Sequence, residues 1–153
     1  MISIFRMCIF LAASLLVGFA YAVGDTTIAT RAGKLSITSD ADNVILFLER
    51  KKLITETDSL RMSFKSKFVL DSKDVVLVTD AVSATCQLYF FVTVTSKPDV
   101  KISPSFGTCD DGPQVIRTSA RIMLRMKDEK GRKMKYIYEN GVISENGKIL
   151  NAR

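Results

Sequence analysis

Apolar and polar residues alternate one by one along most of this chain. Leu35 and Ile37 stand between Lys34, Ser36 and Thr38. From Arg61 to Leu70 the period is again two. That places Met62, Phe64, Phe68 and Leu70 on one face, and Arg61, Ser63, Lys65 and Lys67 on the other. The clearest stretch is Ala84 to Thr95. Its even positions Ala84, Cys86, Leu88, Phe90, Val92 and Val94 are apolar, and its odd positions are mostly polar or amphipathic. Side chains switch faces residue by residue only in a strand. Two runs are continuously apolar instead. Val44 to Leu48 has the length of a strand buried on both faces, and Val75 to Val78 is β-branched.

Turn chemistry separates these strands. Ser96-Lys97-Pro98-Asp99 is followed by Val100 and Ile102, so 84–103 reads as a hairpin. Ile122, Leu124 and Met126 alternate with Arg121, Met123, Arg125 and Lys127. After the turn Asp128-Glu129-Lys130-Gly131, Lys133 to Tyr138 returns with Met134, Tyr136 and Tyr138 on one face. Asn140-Gly141 and Asn146-Gly147 are two-residue hairpin signals, because both positions tolerate positive φ. The nearest thing to a helix is 49–60, where Thr55, Thr57 and Asp58 make a poor one. The fold expected is all-β: a single small antiparallel β-sandwich or a partly closed barrel, with one disulfide.

The start of the chain follows another pattern. Met1 to Met7 carries one positive charge, Arg6. Cys8 to Phe19 is apolar with small interruptions, and Ala20-Tyr21-Ala22 has small residues where signal peptidase reads them. This is the three-part pattern of a secretory signal peptide, with cleavage expected after Ala22. The apolar run is short for a membrane span, which needs ~20 residues. The organisation expected is therefore a signal peptide over 1–22 and a β-rich globular domain over 23–153. Its destination is the periplasm or the outside of the cell, with no stable membrane span.

Export changes the meaning of the cysteines. Without Cys8, the pair Cys86 and Cys109 remains, and an even pair in an oxidising compartment reads as a disulfide. The alternative is two unpaired buried thiols. A metal site on two sulfurs would need further ligands. The chain has no histidine, which excludes a Ser-His-Asp triad, a Cys-His pair and His-ligated zinc or copper. No Walker loop, GxGxxG or EF-hand loop occurs, so no cofactor is called for. Asp110-Asp111, with Asp80, offers a calcium ligand set, but a hard-cation site needs six or more oxygens and a solvated turn explains the pair. Glu139 and Glu145 are a candidate carboxylate pair for glycoside hydrolysis, and two hairpin-turn acids explain them equally well. No catalytic residue and no metal site is expected.

Charge adds a binding candidate. The chain has 22 Lys and Arg against 16 Asp and Glu. Beyond Ala22 the balance is +5, and the segment 121–135 alone is also +5. Arg121, Arg125, Lys127, Lys133 and Lys135 fall on one strand face and form an expected partner-binding ridge. One use is a solvated, lysine-protected edge. The sharper use is docking of an acidic protein. Tyr89 and Phe91 project from the polar face of the best strand and form a candidate aromatic patch, unless a second layer covers them.

The stretches Asp74 to Val78, Cys86 with Leu88 to Val92, and Ser103-Pro104-Ser105-Phe106-Gly107-Thr108-Cys109-Asp110 resemble a set of small exported proteins of Gram-negative bacteria. Their mark is a cysteine before an aromatic strand and a later Phe-Gly-Thr-Cys turn. They often end in a Tyr-Ile-Tyr-type strand and an Asn-Gly turn, as Tyr136 to Gly141 does here. The resemblance supports the paired cysteines and implies no activity.

The function expected is an exported protein-binding module, such as an inhibitor or an immunity protein that neutralises a toxin or enzyme. The alternative is an envelope-associated protein that binds an anionic surface through its basic hairpin, and a carboxylate-based enzyme comes last. Export removes nucleic acid as a physiological target.

Overall fold

The computed structural model describes residues 26–40, 42–97, 99–109 and 112–151. The expected signal peptide and the Asp110-Asp111 pair lie outside them. Among the described residues every regular element is a strand.

The strands form three antiparallel sheets, each from one continuous stretch of chain. The first holds β1 (Thr27–Thr30), β2 (Gly33–Asp40), β3 (Asn43–Leu48) and β4 (Lys51–Glu56), in that order. The second holds β5 (Arg61–Leu70), β6 (Lys73–Ala81), β7 (Gln87–Val94) and β8 (Val100–Ile102). The third holds β9 (Gln114–Arg117), β10 (Arg121–Lys127), β11 (Lys133–Glu139), β12 (Val142–Glu145) and β13 (Lys148–Ile149), ordered β13-β12-β11-β10-β9. The expected all-β fold with a Cys86–Cys109 disulfide is present.

The sheets stack as a sandwich of three layers. Leu35, Ile37, Val44, Leu46 and Leu48 of the first sheet pack on Met62, Phe64, Val76, Val78, Phe90 and Val92 of the second. On the other side of the second sheet, Val75, Leu77, Tyr89 and Phe91 pack on Ile122, Leu124, Tyr136, Tyr138 and Ile143 of the third. The central strands β6 and β7 are therefore covered on both faces. Their sequences, apolar at odd and even positions alike, suit that place.

Three expectations change. Val44 to Leu48 was read as buried on both faces, yet Ile45 and Phe47 are only half-buried, because β3 lies in an outer sheet. Met62, Phe64, Phe68 and Leu70 do not share one face. The pairing of β5 with β6 shifts between Phe64 and Ser66, so Lys65 is an extra residue, a β-bulge. Beyond it the phase inverts. Met62 and Phe64 face the first sheet, while Phe68 and Leu70 face the third. Finally, Tyr89 and Phe91 form no surface patch. They are 1% and 0% exposed, since the third sheet covers the face that looked polar.

The turns behave as their residues require. Asn140-Gly141 and Asn146-Gly147 all have positive φ, at 53°, 81°, 47° and 87°. The poor helical stretch 49–60 supplies β4, with a second pairing irregularity between Leu46 and Phe47. The expected 84–103 hairpin is β7 and β8, beginning at Gln87. The segment after β8 then returns alongside β7. Tyr89 donates its N–H to the Phe106 carbonyl at 2.7 Å, and Phe106 donates back to Tyr89 at 2.8 Å. This pairing brings Cys109 beside Cys86. Gly107, at φ 140°, makes the close approach possible, because a Cβ there would sit 3.3 Å from the Gln87 carbonyl oxygen.

Candidate functional site

The hairpin β10–β11 is held in place by what it buries. Ile122, Leu124, Met126, Tyr136 and Tyr138 point inward onto the central sheet. Tyr138 and Thr93 share a hydroxyl hydrogen bond at 2.5 Å across that interface. Burial pushes both tyrosine hydroxyls up, Tyr136 to about 12, where the Glu145 carboxylate adds to the effect. These phenols stay protonated in the ordinary pH range and serve the core.

The outward residues are fixed by the same register. Arg121 stands opposite Glu139, Met123 opposite Ile137, Arg125 opposite Lys135, and Lys127 opposite Lys133. All five cations of the expected ridge are exposed. Four of them form two adjacent like-charge pairs, while Arg121 stands apart, beyond Met123 and Ile137 and facing an acid. Like charges directly opposite on a strand pair cost stability.

No acid of the hairpin compensates these four. Among the described residues the ion pairs are Arg31–Asp74 and Arg132–Asp128. Asp128 is committed to its own turn. It accepts the backbone N–H groups of Lys130 and Arg132 at 3.0 and 2.8 Å, and the Arg132 guanidinium at 2.5 Å. Desolvation works upward on its carboxyl, but these donors outweigh it and hold the group below the usual range.

A cleft of about 640 Å³ runs along this surface, lined by Arg125, Lys127, Lys133 and Lys135 together with Gln114, Gly112, Met126 and Met134. Met126 and Met134 pair between the two cationic rows and turn their side chains toward the core. The cleft is a furrow whose lining combines four long basic side chains with these two methionines. Among the described residues no carboxylate lines it.

A further cation lies near this cleft without lining it. The Nζ of the bulge residue Lys65 is 3.8 Å from where a Cβ on Gly112, one of the lining residues, would be. Only the partner strand reveals the bulge, so nothing local in the sequence marked Lys65.

Next to the cations, Ile116, Met123 and Ile137 line up across β9, β10 and β11 on the same outward face. The row continues through Ser144 to Ile149, which is 65% exposed.

The other candidates lie elsewhere. Glu139 is on the outward face, while Glu145 pairs with inward-pointing Tyr136 and accepts its hydroxyl at 3.5 Å. The two carboxyls thus sit on opposite faces of the sheet and do not converge on one bond. Asp80 pairs with Met62, faces the first sheet and is 5% exposed. Among the described residues no group of three or more Cys, Asp or Glu is placed to hold a metal ion. No described helix is long and apolar enough to cross a membrane. The disulfide suits an oxidising compartment.

Compared with protein-family models, curated proteins and solved structures, the chain matches none.

Proposed function

We propose that this chain is an exported protein-binding module that docks an acidic protein on the outward face of the β10–β11 hairpin. The role is that of an inhibitor or immunity protein, which neutralises a toxin or enzyme by occupying its surface. The observation that carries the reading is the double like-charge pairing, Arg125 with Lys135 and Lys127 with Lys133, around a furrow with no carboxylate among its described lining. The fold does not need this arrangement, since the same strands with mixed charges would be more stable. An acidic partner removes the repulsion, and the cations speed its approach. A three-layer β scaffold tied by a disulfide presents the face with little ordering cost on binding.

Poly-L-glutamate serves as a probe of the charge component. It should bind the protein at low salt and dissociate as salt rises. The triple variant Arg125→Glu, Lys133→Glu, Lys135→Glu should weaken binding at least tenfold and flatten the salt dependence, with an unchanged far-ultraviolet circular dichroism spectrum. Equal affinity and equal salt dependence in the variant would remove the docking role and leave a solvated edge. A second reading, docking on an anionic envelope surface, draws on the apolar row beside the cations. Salt-sensitive binding to phosphatidylglycerol vesicles without binding to poly-L-glutamate would favour it.

A further inference from the structure

The furrow and the apolar row together specify more than a negative charge. Resting on the docking role proposed above, we infer that the outward face of the third sheet takes an extended segment of the partner, carrying two acidic residues and then one apolar residue at alternate positions.

The argument is one of spacing. Read along β10 and β11, the outward face presents Lys127 with Lys133, then Arg125 with Lys135, then Met123 with Ile137. Successive rows are two residues apart, or about 6.8 Å on an antiparallel strand. An extended segment lying along the hairpin repeats its own same-face side chains at that interval. Its three consecutive contacts therefore meet a cationic row, a second cationic row and an apolar row in step. The complementary pattern is acidic-x-acidic-x-apolar, or its reverse for the opposite chain direction. A helix fits the rows less well. Its same-face residues fall at about 6 Å and then 10.5–12 Å, short of the third row at ~13.6 Å. Charge complementarity selects the occupant: the four cations lack ion-pair partners among the described residues. The packing mode is already used twice in this molecule, whose central sheet takes a sheet on each face. The partner segment would add a fourth layer over Met123 and Ile137.

The test uses two disulfide-closed β-hairpin peptides of identical composition. One carries Glu-Thr-Glu-Thr-Leu on its binding strand and the other Glu-Thr-Leu-Thr-Glu. Each is titrated into the isotopically labelled, disulfide-bonded protein and followed by amide chemical shifts. The first should bind at least fivefold more tightly, with shifts centred on Met123, Arg125, Lys135 and Ile137. Met123→Thr with Ile137→Thr keeps strand-forming residues and should abolish the preference without abolishing the salt dependence. Equal, salt-sensitive affinity for both peptides would overturn the pattern and leave simple charge docking standing. Binding of neither peptide, or shifts located elsewhere, would overturn both. Shifts at Met123 and Ile137 caused by phosphatidylglycerol vesicles but by neither peptide would replace the protein segment with a lipid surface.

Discussion

At the scale of single residues, two acids on strand β6 show how one side-chain type takes opposite roles. Asp74 and Asp80 both face the first sheet and are 4% and 5% exposed. Asp74 accepts the Arg31 backbone N–H at 2.6 Å and its guanidinium at 3.1 Å. Burial alone would raise its pKa, but Arg31, with help from Lys67, holds the carboxyl below the usual range. The stability that Asp74 contributes is therefore present above the ordinary aspartate value and lost as pH falls through its lowered one. Asp80 lacks such a partner. Its Oδ1 and the nearby Ser59 Oγ make no hydrogen bond among the described residues. Burial lifts the Asp80 carboxyl above the ordinary 3.8. Its folded state thus holds the proton more tightly than the unfolded one. The associated stability is complete below that ordinary value and is lost as pH rises through the raised one. Asp80→Asn should therefore raise the thermal midpoint at pH 7, and the gain should shrink as pH falls toward 4. A constant difference across thermal denaturations from pH 4 to 8 would show that Asp80 carries no such burden. The Arg31–Asp74 pair was not legible in the sequence. Its partners are 43 positions apart and meet only when the first two sheets stack.

At the scale of elements, the period of two was legible and its consequence on β5 was not. The strand over Arg61–Leu70 is present as its alternation requires. Its apolar residues divide between two cores because Lys65 is bulged out of the ladder. A bulge has no residue signature here, since neither Lys65 nor Ser66 is a glycine, and it exists only relative to β6. Deleting Lys65 should restore regular pairing and leave Met62 and Phe64 facing the first sheet and Phe68 and Leu70 facing the third, because Phe64 still pairs with Val78 and Ser66 with Leu77. The expected cost is well below the ~3 kcal/mol of losing one large buried side chain. A denaturant midpoint lowered by that full amount would mean that Lys65 is not the extra residue that sets the faces. The β10–β11 hairpin was the most legible element, with its turns, inward residues and cations all assigned. Its pairing register still decided the site, because it set Arg125 against Lys135 and Lys127 against Lys133, and Arg121 against Glu139.

At the scale of the whole molecule, three local meanders are joined in chain order, and the connection after β8 does most to unite them. That segment pairs with β7 through Phe106, stacks the Phe106 ring on Phe91 and tilts it against Tyr136, and is tied by Cys86–Cys109 before the chain enters the third sheet. The disulfide thus fixes the lead into the sheet that carries the furrow. Cys86→Ser should lower the unfolding free energy by ~2–5 kcal/mol, the usual range for a native bridge in a small exported domain. Hydrogen exchange should rise in the third sheet before the first. Non-reducing peptide mapping of the unaltered protein should find Cys86 linked to Cys109. Two alkylatable thiols in the folded protein would contradict the bridge and the compartment it suits.

By itself the sequence determined the strands, the hairpin turns, the bridging cysteines and the basic hairpin. Each is a local property, carried by the alternation of neighbours, the backbone freedom of Asn-Gly, an even count of thiols, or charge concentrated in fifteen residues. Only the tertiary structure decided how many layers there are and which faces they cover. Tyr89 and Phe91 look like residues of an amphipathic face until a third sheet lies on them. Lys65 looks like one more solvated lysine until the bulge brings it to Gly112. Both outcomes come from surfaces meeting across long sequence separations. Alternation says that a strand has two faces, and only the packed sheets say what each face touches.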